Sequence, residues 1–179
     1  MEQTKYIYSG GLASFEHEDM TKLSEYAKDG WILESLTSFG YKLKKRKPVN
    51  VTYSLDYNKG ANKEYFSYFE AAGWSHVCSG GNQIHIFSAP KGTIPIYTDK
   101  MTVIEKYKIA RGNIKKTTLI TFIITLFLFL LTLLSSVGKI PESAGDASVI
   151  LGYIALIVLI FTGLPYIAYS FKINKLRKY

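Results

Sequence analysis

Three regimes of apolar and polar positions follow one another along the chain. Over residues 4–90, short apolar clusters are separated by Gly, Ser, Asn and Asp. Over residues 100–116, a charged segment carries an apolar stripe at Val103, Ile104 and Tyr107. After it come two uncharged runs, 21 residues at 117–137 and 25 residues at 147–171. A bilayer core is crossed by about 20 apolar helical residues. The pattern therefore predicts a soluble domain, a stalk helix and a two-helix transmembrane hairpin.

Within the first regime one pattern occurs twice, at an offset of 43 residues: Gly30-Trp31 matches Gly73-Trp74. In the first copy, residues 4–46, a strand at 5–9 precedes a helix with Glu16, Glu18 and Asp19 in its first turn. Carboxylates suit the positive end of a helix dipole. Met20, Leu23 and Ala27 follow helical spacing, and Gly30 supplies a left-handed cap. Residues 31–36 and 41–45 then form a hairpin. In the second copy, residues 50–89, the strand is 51–57. Asn62 caps a helix with Tyr65, Phe66, Phe69 and Ala72 on one face. Residues 74–79 and 82–88 form a hairpin across a two-residue Gly80-Gly81 turn. The expected fold class is α+β: a strand-helix-strand-strand unit present twice, giving a ferredoxin-like, largely antiparallel sandwich. Trp31 and Trp74 are expected where each helix meets the sheet. Residues 91–116 are a linker and the stalk, with Thr98 or Asp99 as cap. Gly163 and Pro165 are expected to kink the second span.

Composition changes this picture little, but charge orients it. The chain carries 22 Lys and Arg against 14 Asp and Glu, a net +8. The excess sits beside the hydrophobic spans. Lys106, Lys108, Arg111, Lys115 and Lys116 precede the first; Lys172, Lys175, Arg177 and Lys178 follow the second. The connecting residues 138–146 hold only Lys139, Glu142 and Asp146. Basic flanks stay on the cytoplasmic side of short membrane segments. The expected location is the cell membrane, with both termini cytoplasmic, residues 138–146 as an external loop and residues 172–179 as a basic tail. The start, Met1 to Tyr6, lacks the charged end and apolar run of a signal peptide. Neither span contains Asp, Glu, Lys, Arg or His, which argues against an ion path or proton relay.

The quoted segments, taken together, resemble a known family. They are Asp29-Gly30-Trp31, Phe39-Gly40-Tyr41, Tyr53-Ser54-Leu55-Asp56-Tyr57, Phe69-Glu70-Ala71-Ala72-Gly73-Trp74 and Ile96-Tyr97-Thr98-Asp99, then Ile104-Glu105-Lys106-Tyr107-Lys108. Over roughly residues 4–110 the chain resembles the domain-of-unknown-function 2812 family (DUF2812) of Firmicutes membrane proteins. The resemblance implies membrane helices after the domain and a membrane-linked regulatory or stress context, since some members are encoded beside PadR-type regulators. It implies no catalytic residues. The sequence departs from the pattern after Cys78.

Candidate chemistry is sparse. A two-residue turn would set His76 opposite His85, with Cys78 on the same face. Two imidazoles and a thiol are zinc-ligand types, but a third firm ligand is missing and no CxxC or HExxH spacing supplies it. A solvated histidine pair and a packing cysteine are the plainer reading. No phosphate-binding or dinucleotide motif occurs, and no nucleic-acid recognition motif accompanies the modest charge. No cofactor is expected. Lys44, Lys45, Arg46 and Lys47, with Lys115, Lys116, Lys172, Lys175, Arg177 and Lys178, are candidates for contact with anionic lipid headgroups. Tyr6, Tyr8, Tyr26, Tyr53, Tyr57, Tyr65 and Tyr68 are too many for one small core, and tyrosine is enriched at interfaces. The reading is thus a non-enzymatic, membrane-anchored module that binds a protein or small ligand. Its rivals are protection against membrane-active peptides and an enzyme or metal site made only by the fold.

Overall fold

A computed structural model describes residues 3–81 and 83–178. It divides into two compact units, one ending at Ile109 and one beginning at Ala110. In the first unit the order of elements is β1 (Thr4–Tyr8), α1 (Leu12–Lys28), β2 (Trp31–Thr37), β3 (Gly40–Lys45), β4 (Val51–Tyr57), α2 (Lys63–Ala71), β5 (Ser75–Gly80) and β6 (Ile84–Pro90). The strands make two antiparallel three-stranded sheets, ordered β1-β3-β2 and β4-β6-β5. In both, the third strand of the group is central and the first returns to its free side. The α+β class and the strand-helix-strand-strand order agree with the sequence pattern.

Alternation along the strands decides what is buried. Leu33, Tyr41, Leu43, Leu55 and Ile86 are buried, as are Leu23 and Ala27 of α1. Helix α1 packs on β4 as well as on its own β2, linking the two halves. The Tyr53 backbone N–H donates to Ser24 Oγ at 3.2 Å, and the Leu33 N–H donates to the Tyr53 hydroxyl at 3.4 Å. The second sheet has another buried face, where Trp74, Phe87 and Ala89 meet Tyr65, Phe66, Phe69 and Ile96. Burying one such aromatic side chain contributes about 1.5–3 kcal/mol.

Four local expectations need correction. Helix α1 starts at Leu12 without a side-chain cap, and Phe15 breaks its helical geometry (φ −118°, ψ 29°). Glu16 and Asp19 lie just past that break and are buried rather than solvated at a helix end. Trp74 is buried as expected, its indole N–H donating to the Ile94 carbonyl at 3.0 Å. Trp31 is only half-buried: Lys5 and Lys45 ammonium groups stand 4.5 and 4.9 Å from its ring centroid. The β5–β6 turn is not the two-residue Gly80-Gly81. Gly80 still pairs with Ile84, and Gly81 adopts φ +57° in the turn. Asn82, expected to pair with Ser79, lies outside the described residues. Gly30 does cap α1, at φ +79°; a Cβ there would sit 2.5 Å from the Arg46 carbonyl oxygen.

Helix α3 (Lys100–Ser136) is continuous through the stalk segment and the first hydrophobic run, and α4 (Glu142–Lys178) contains the second. Asp99 is the N-terminal cap of α3, accepting from the Met101 and Thr102 N–H groups at 2.8 and 3.0 Å. The turn between the helices is shorter than expected, because α4 begins at Glu142. Both helices are long and apolar enough to cross a membrane, and only 11% of each apolar window is buried. In the second unit, α3 and α4 approach closely near the turn. A Cβ on Gly145 would lie 2.2 Å from Ser135 Oγ, and Thr132 Oγ1 and Ser148 Oγ share a hydrogen bond at 2.9 Å. Helix α4 continues through Pro165, whose missing N–H leaves the Phe161 carbonyl without its helical donor. Thr118 Oγ1 supports this stretch by donating to the adjacent Thr162 carbonyl at 3.2 Å.

Candidate functional site

The polar groups buried in the second half of the first unit converge on Asp56. Strand β4 places it directly across from His85 on β6. Asn62 caps α2 by accepting from the Tyr65 N–H at 2.9 Å, which sets Tyr65 in the first turn above the sheet. From there the Tyr65 hydroxyl donates to Asp56 Oδ2 at 2.8 Å. The chain after β6 brings Tyr97 to the other oxygen, Oδ1, which also accepts from the Tyr57 N–H at 2.7 Å. Burial, and then the Asp56 charge, push both phenol pKa values well above the usual tyrosine range. Both hydroxyls therefore remain protonated donors. A buried carboxylate needs such donors, because desolvation without them is costly.

Beside Tyr97 stands Lys106 of α3. Its ammonium lies 4.8 Å from the Tyr97 ring centroid and 5.8 Å from that of Tyr57, within cation–π range. It donates to Glu16 Oε1 on α1, ninety residues away in sequence. The two side chains are 5% and 9% exposed, so this ion pair is buried. Glu16 Oε2 is buried without a hydrogen-bond partner among the described residues. A cleft of about 300 Å³ opens here, lined by Asp56, Asn58, Lys59, Tyr97, Glu105 and Lys106 among others. Two carboxylates and two ammonium groups thus share one opening.

A hydrogen-bonded histidine chain ends at the same cleft. Because Gly80 pairs with Ile84, Ser79 falls opposite His85; past a bulge at Val77, His76 falls opposite Phe87. His76 is thus not directly across from His85, as a two-residue turn would require. Ser79 nevertheless joins the pair: its Oγ lies 2.8 Å from His76 Nε2 and 2.7 Å from His85 Nδ1. His85 Nε2 lies 3.0 Å from the Asn58 carbonyl, so that nitrogen carries the proton and donates. When the proton of His85 is on Nε2 alone, Ser79 donates to Nδ1 and accepts from His76. Burial, and then the neighbouring His85 charge, hold the His76 pKa below 6.5.

Cys78 does not join the histidines. It falls opposite Ile86, off the His85 face, and the bulge takes it off the His76 face as well; burial pushes its thiol up to about 11. No cluster of three or more His, Cys, Asp or Glu side chains able to hold a metal forms among the described residues. Cys78 therefore does not stand beside His76 and His85 as a third ligand type. The basic run along and after β3 also divides. Lys42 and Lys44 pair with Glu34 at 2.6 and 3.6 Å, lowering the Glu34 pKa chiefly through the Lys42 hydrogen bond. Lys45 donates to the Asp29 carbonyl at 2.7 Å and covers Trp31. Arg46 and Lys47 are exposed, as are Lys115 and Lys116. Among the tyrosines, Tyr53 and Tyr57 are core, whereas Tyr6, Tyr8 and Tyr68 are 67%, 82% and 71% exposed.

The sequence pattern does not find the Asp56–Tyr65–Tyr97 and Glu16–Lys106 groups. Their members are 90 residues apart in one case and 41 in the other. A sequence profile for proteins of unknown function, DUF2812, matches residues 15–123. The chain belongs to the DUF2812 family. The match takes in every residue of the Asp56 and Lys106 groups and continues into the first apolar run. No curated protein and no solved structure matches the chain.

Proposed function

We propose that this DUF2812 protein is a membrane-anchored binding module whose cleft takes a small zwitterionic ligand. The observation that carries the reading is the charge set at one opening: Asp56 and Glu105 against Lys59 and Lys106. Asp56 and Lys106 are buried and fixed by tyrosines, whereas Glu105 and Lys59 are exposed at the rim. A ligand bearing both charges complements such a set, while a simple anion or cation meets repulsion from half of it. The volume lies within the range of small-molecule pockets. A regulatory or stress role would follow from ligand-dependent partner binding at the exposed tyrosines.

In this reading, α3 and α4 form a hairpin in the cell membrane, with both chain ends in the cytoplasm. The basic flanks support that orientation. Arg46, Lys47, Lys115, Lys116 and the tail cations then face anionic headgroups. Thermal unfolding of the detergent-solubilised full chain, with a panel of amino acids and betaines beside simple anions and cations, tests the ligand. At least one zwitterion should raise the midpoint, and Lys59→Ala or Glu105→Gln should remove the rise. No response across the panel would discard the reading. Impermeant thiol labelling of Lys139→Cys and Lys175→Cys, both in a Cys78→Ser background, tests the orientation. Only the first should react in intact cells.

A further inference from the structure

The second unit contains a groove that neither the cleft nor the hairpin packing explains. It lies between α3 and α4, encloses about 460 Å³, and is lined by Lys115, Leu119, Phe122, Leu156 and Gly163 among others. Gly163 borders open space in it: a Cβ there would meet only Leu159 Cδ1, at 3.8 Å. Its composition is graded. At one end are Lys115, Thr118 and Tyr166; beyond them the side chains that line it are apolar. The groove runs from Lys115 to Phe122 on α3 and from Ile167 to Leu156 on α4. At 1.5 Å rise per residue those stretches are about 10 and 16 Å long. Half the hydrocarbon core of a bilayer is about 15 Å. The groove therefore has the depth of a single leaflet, with its cationic end at the headgroup level.

Charge selects among lipids. The Arg111 guanidinium stands 6.0 Å from the Tyr166 ring centroid, and Lys116 adjoins Lys115. The only acidic side chains of this unit are Glu142 and Asp146, beside the turn at the far end of the hairpin. Lys115 has no ion-pair partner among the described residues. A cation at the mouth of an apolar groove fits a phosphate joined to an acyl chain.

We propose that this groove binds one anionic phospholipid, its acyl chain along Leu119, Phe122 and Leu156 and its phosphate at Lys115. The proposal rests on the membrane reading above. Alkaline extraction of membranes is therefore the first arm: release of the full chain into the soluble fraction overturns both readings together. If the chain stays in the membrane, the purified protein in mild detergent is titrated with phosphatidylglycerol or phosphatidylcholine. Thermal unfolding and native mass spectrometry are read in parallel.

Phosphatidylglycerol should raise the unfolding midpoint more than phosphatidylcholine and leave one lipid bound per chain. Lys115→Gln should abolish the difference between the two lipids. Gly163→Leu should abolish the bound lipid altogether, because its side chain obstructs the path of the acyl chain. Leucine is a better helix former than glycine, so this variant retains the helix. Equal responses to both lipids in the unaltered protein overturn the proposal. So does bound lipid that persists in Gly163→Leu, or a dimer that Gly163→Leu dissociates, which would make a second copy the occupant.

Discussion

The two halves of the N-terminal unit repeat one order of elements, and each buries a carboxylate among hydroxyl donors. In the first half, Asp19 sits on α1 and accepts from Ser9 Oγ, the Gly10 N–H at 3.0 Å and the Tyr41 hydroxyl at 2.9 Å. All three donors come from within that half. In the second half, Asp56 sits on a strand, and one of its donors, Tyr97, comes from beyond the last strand. The helices differ in the same sense. Six residues of the 17-residue α1 are buried, whereas none of the nine in α2 is. The first half supplies every donor to its Asp19 from within. The second recruits the 96–109 segment, and the cleft lies where that outside segment meets Asp56. A closed carboxylate cluster consolidates a fold, while one completed by an added segment leaves room for a ligand at the seam.

Lys106 ties the halves through a buried charge, since it reaches from α3 to Glu16 on α1. Lys106→Ala leaves a buried, unpaired carboxylate and should cost about 3–5 kcal/mol. Replacing both partners, Glu16→Leu with Lys106→Met, should return stability close to the unaltered value. Urea unfolding followed by tryptophan fluorescence checks both. If the single variant is as stable as the parent, the halves are not held by this pair. A smaller effect separates the two carboxylates. Tyr41→Phe and Tyr97→Phe each remove one hydrogen bond to a carboxylate, about 1.5–3 kcal/mol. Only Tyr97→Phe should also change the response to zwitterions in thermal unfolding. Smaller again is the cap. Asn62→Ala should cost about 1 kcal/mol in the same unfolding measurement. Gly11, which starts α1, contributes no side-chain cap to lose.

What could be read from the sequence follows the range of each interaction. Periodicity and caps are local, so Gly30, Asn62, Asp99 and the two apolar helices were legible. The hairpin register was not. Pairing of Gly80 with Ile84 moves every partner and takes Cys78 off the His85 face, and one bulged residue, Val77, takes it off the His76 face as well. Trp31 shows a second limit: a Gly-Trp match does not reveal that two lysines stand over one ring. The Asp56 and Glu16 groups are the third. Tyr97 and Lys106 follow the repeated strands, and a repeat-based reading assigns that stretch to a linker and stalk. The strand pairing, and the packing of α3's first turns, bring them to carboxylates that look ordinary in sequence.

The smallest expected effect concerns the histidines, a feature of the second half without a counterpart in the first. His76 has Phe66 of α2 and Phe87 of β6 against its ring, with centroids at 4.6 and 5.6 Å, and His85 beyond Ser79. Its folded pKa lies below the unfolded value near 6.5, so between those values the unfolded chain binds more protons than the folded one. Stability rises with pH wherever that holds. The contribution is therefore complete above about pH 6.5 and is lost as pH falls through the window toward the lower folded value. His76→Gln keeps a polar group beside Ser79 but does not titrate. Unfolding midpoints measured from pH 7.5 to 5 should fall less steeply for this variant than for the parent. Parallel profiles would show that His76 does not couple to folding, and would leave its bond to Ser79 a solvent-exposed contact without energetic consequence.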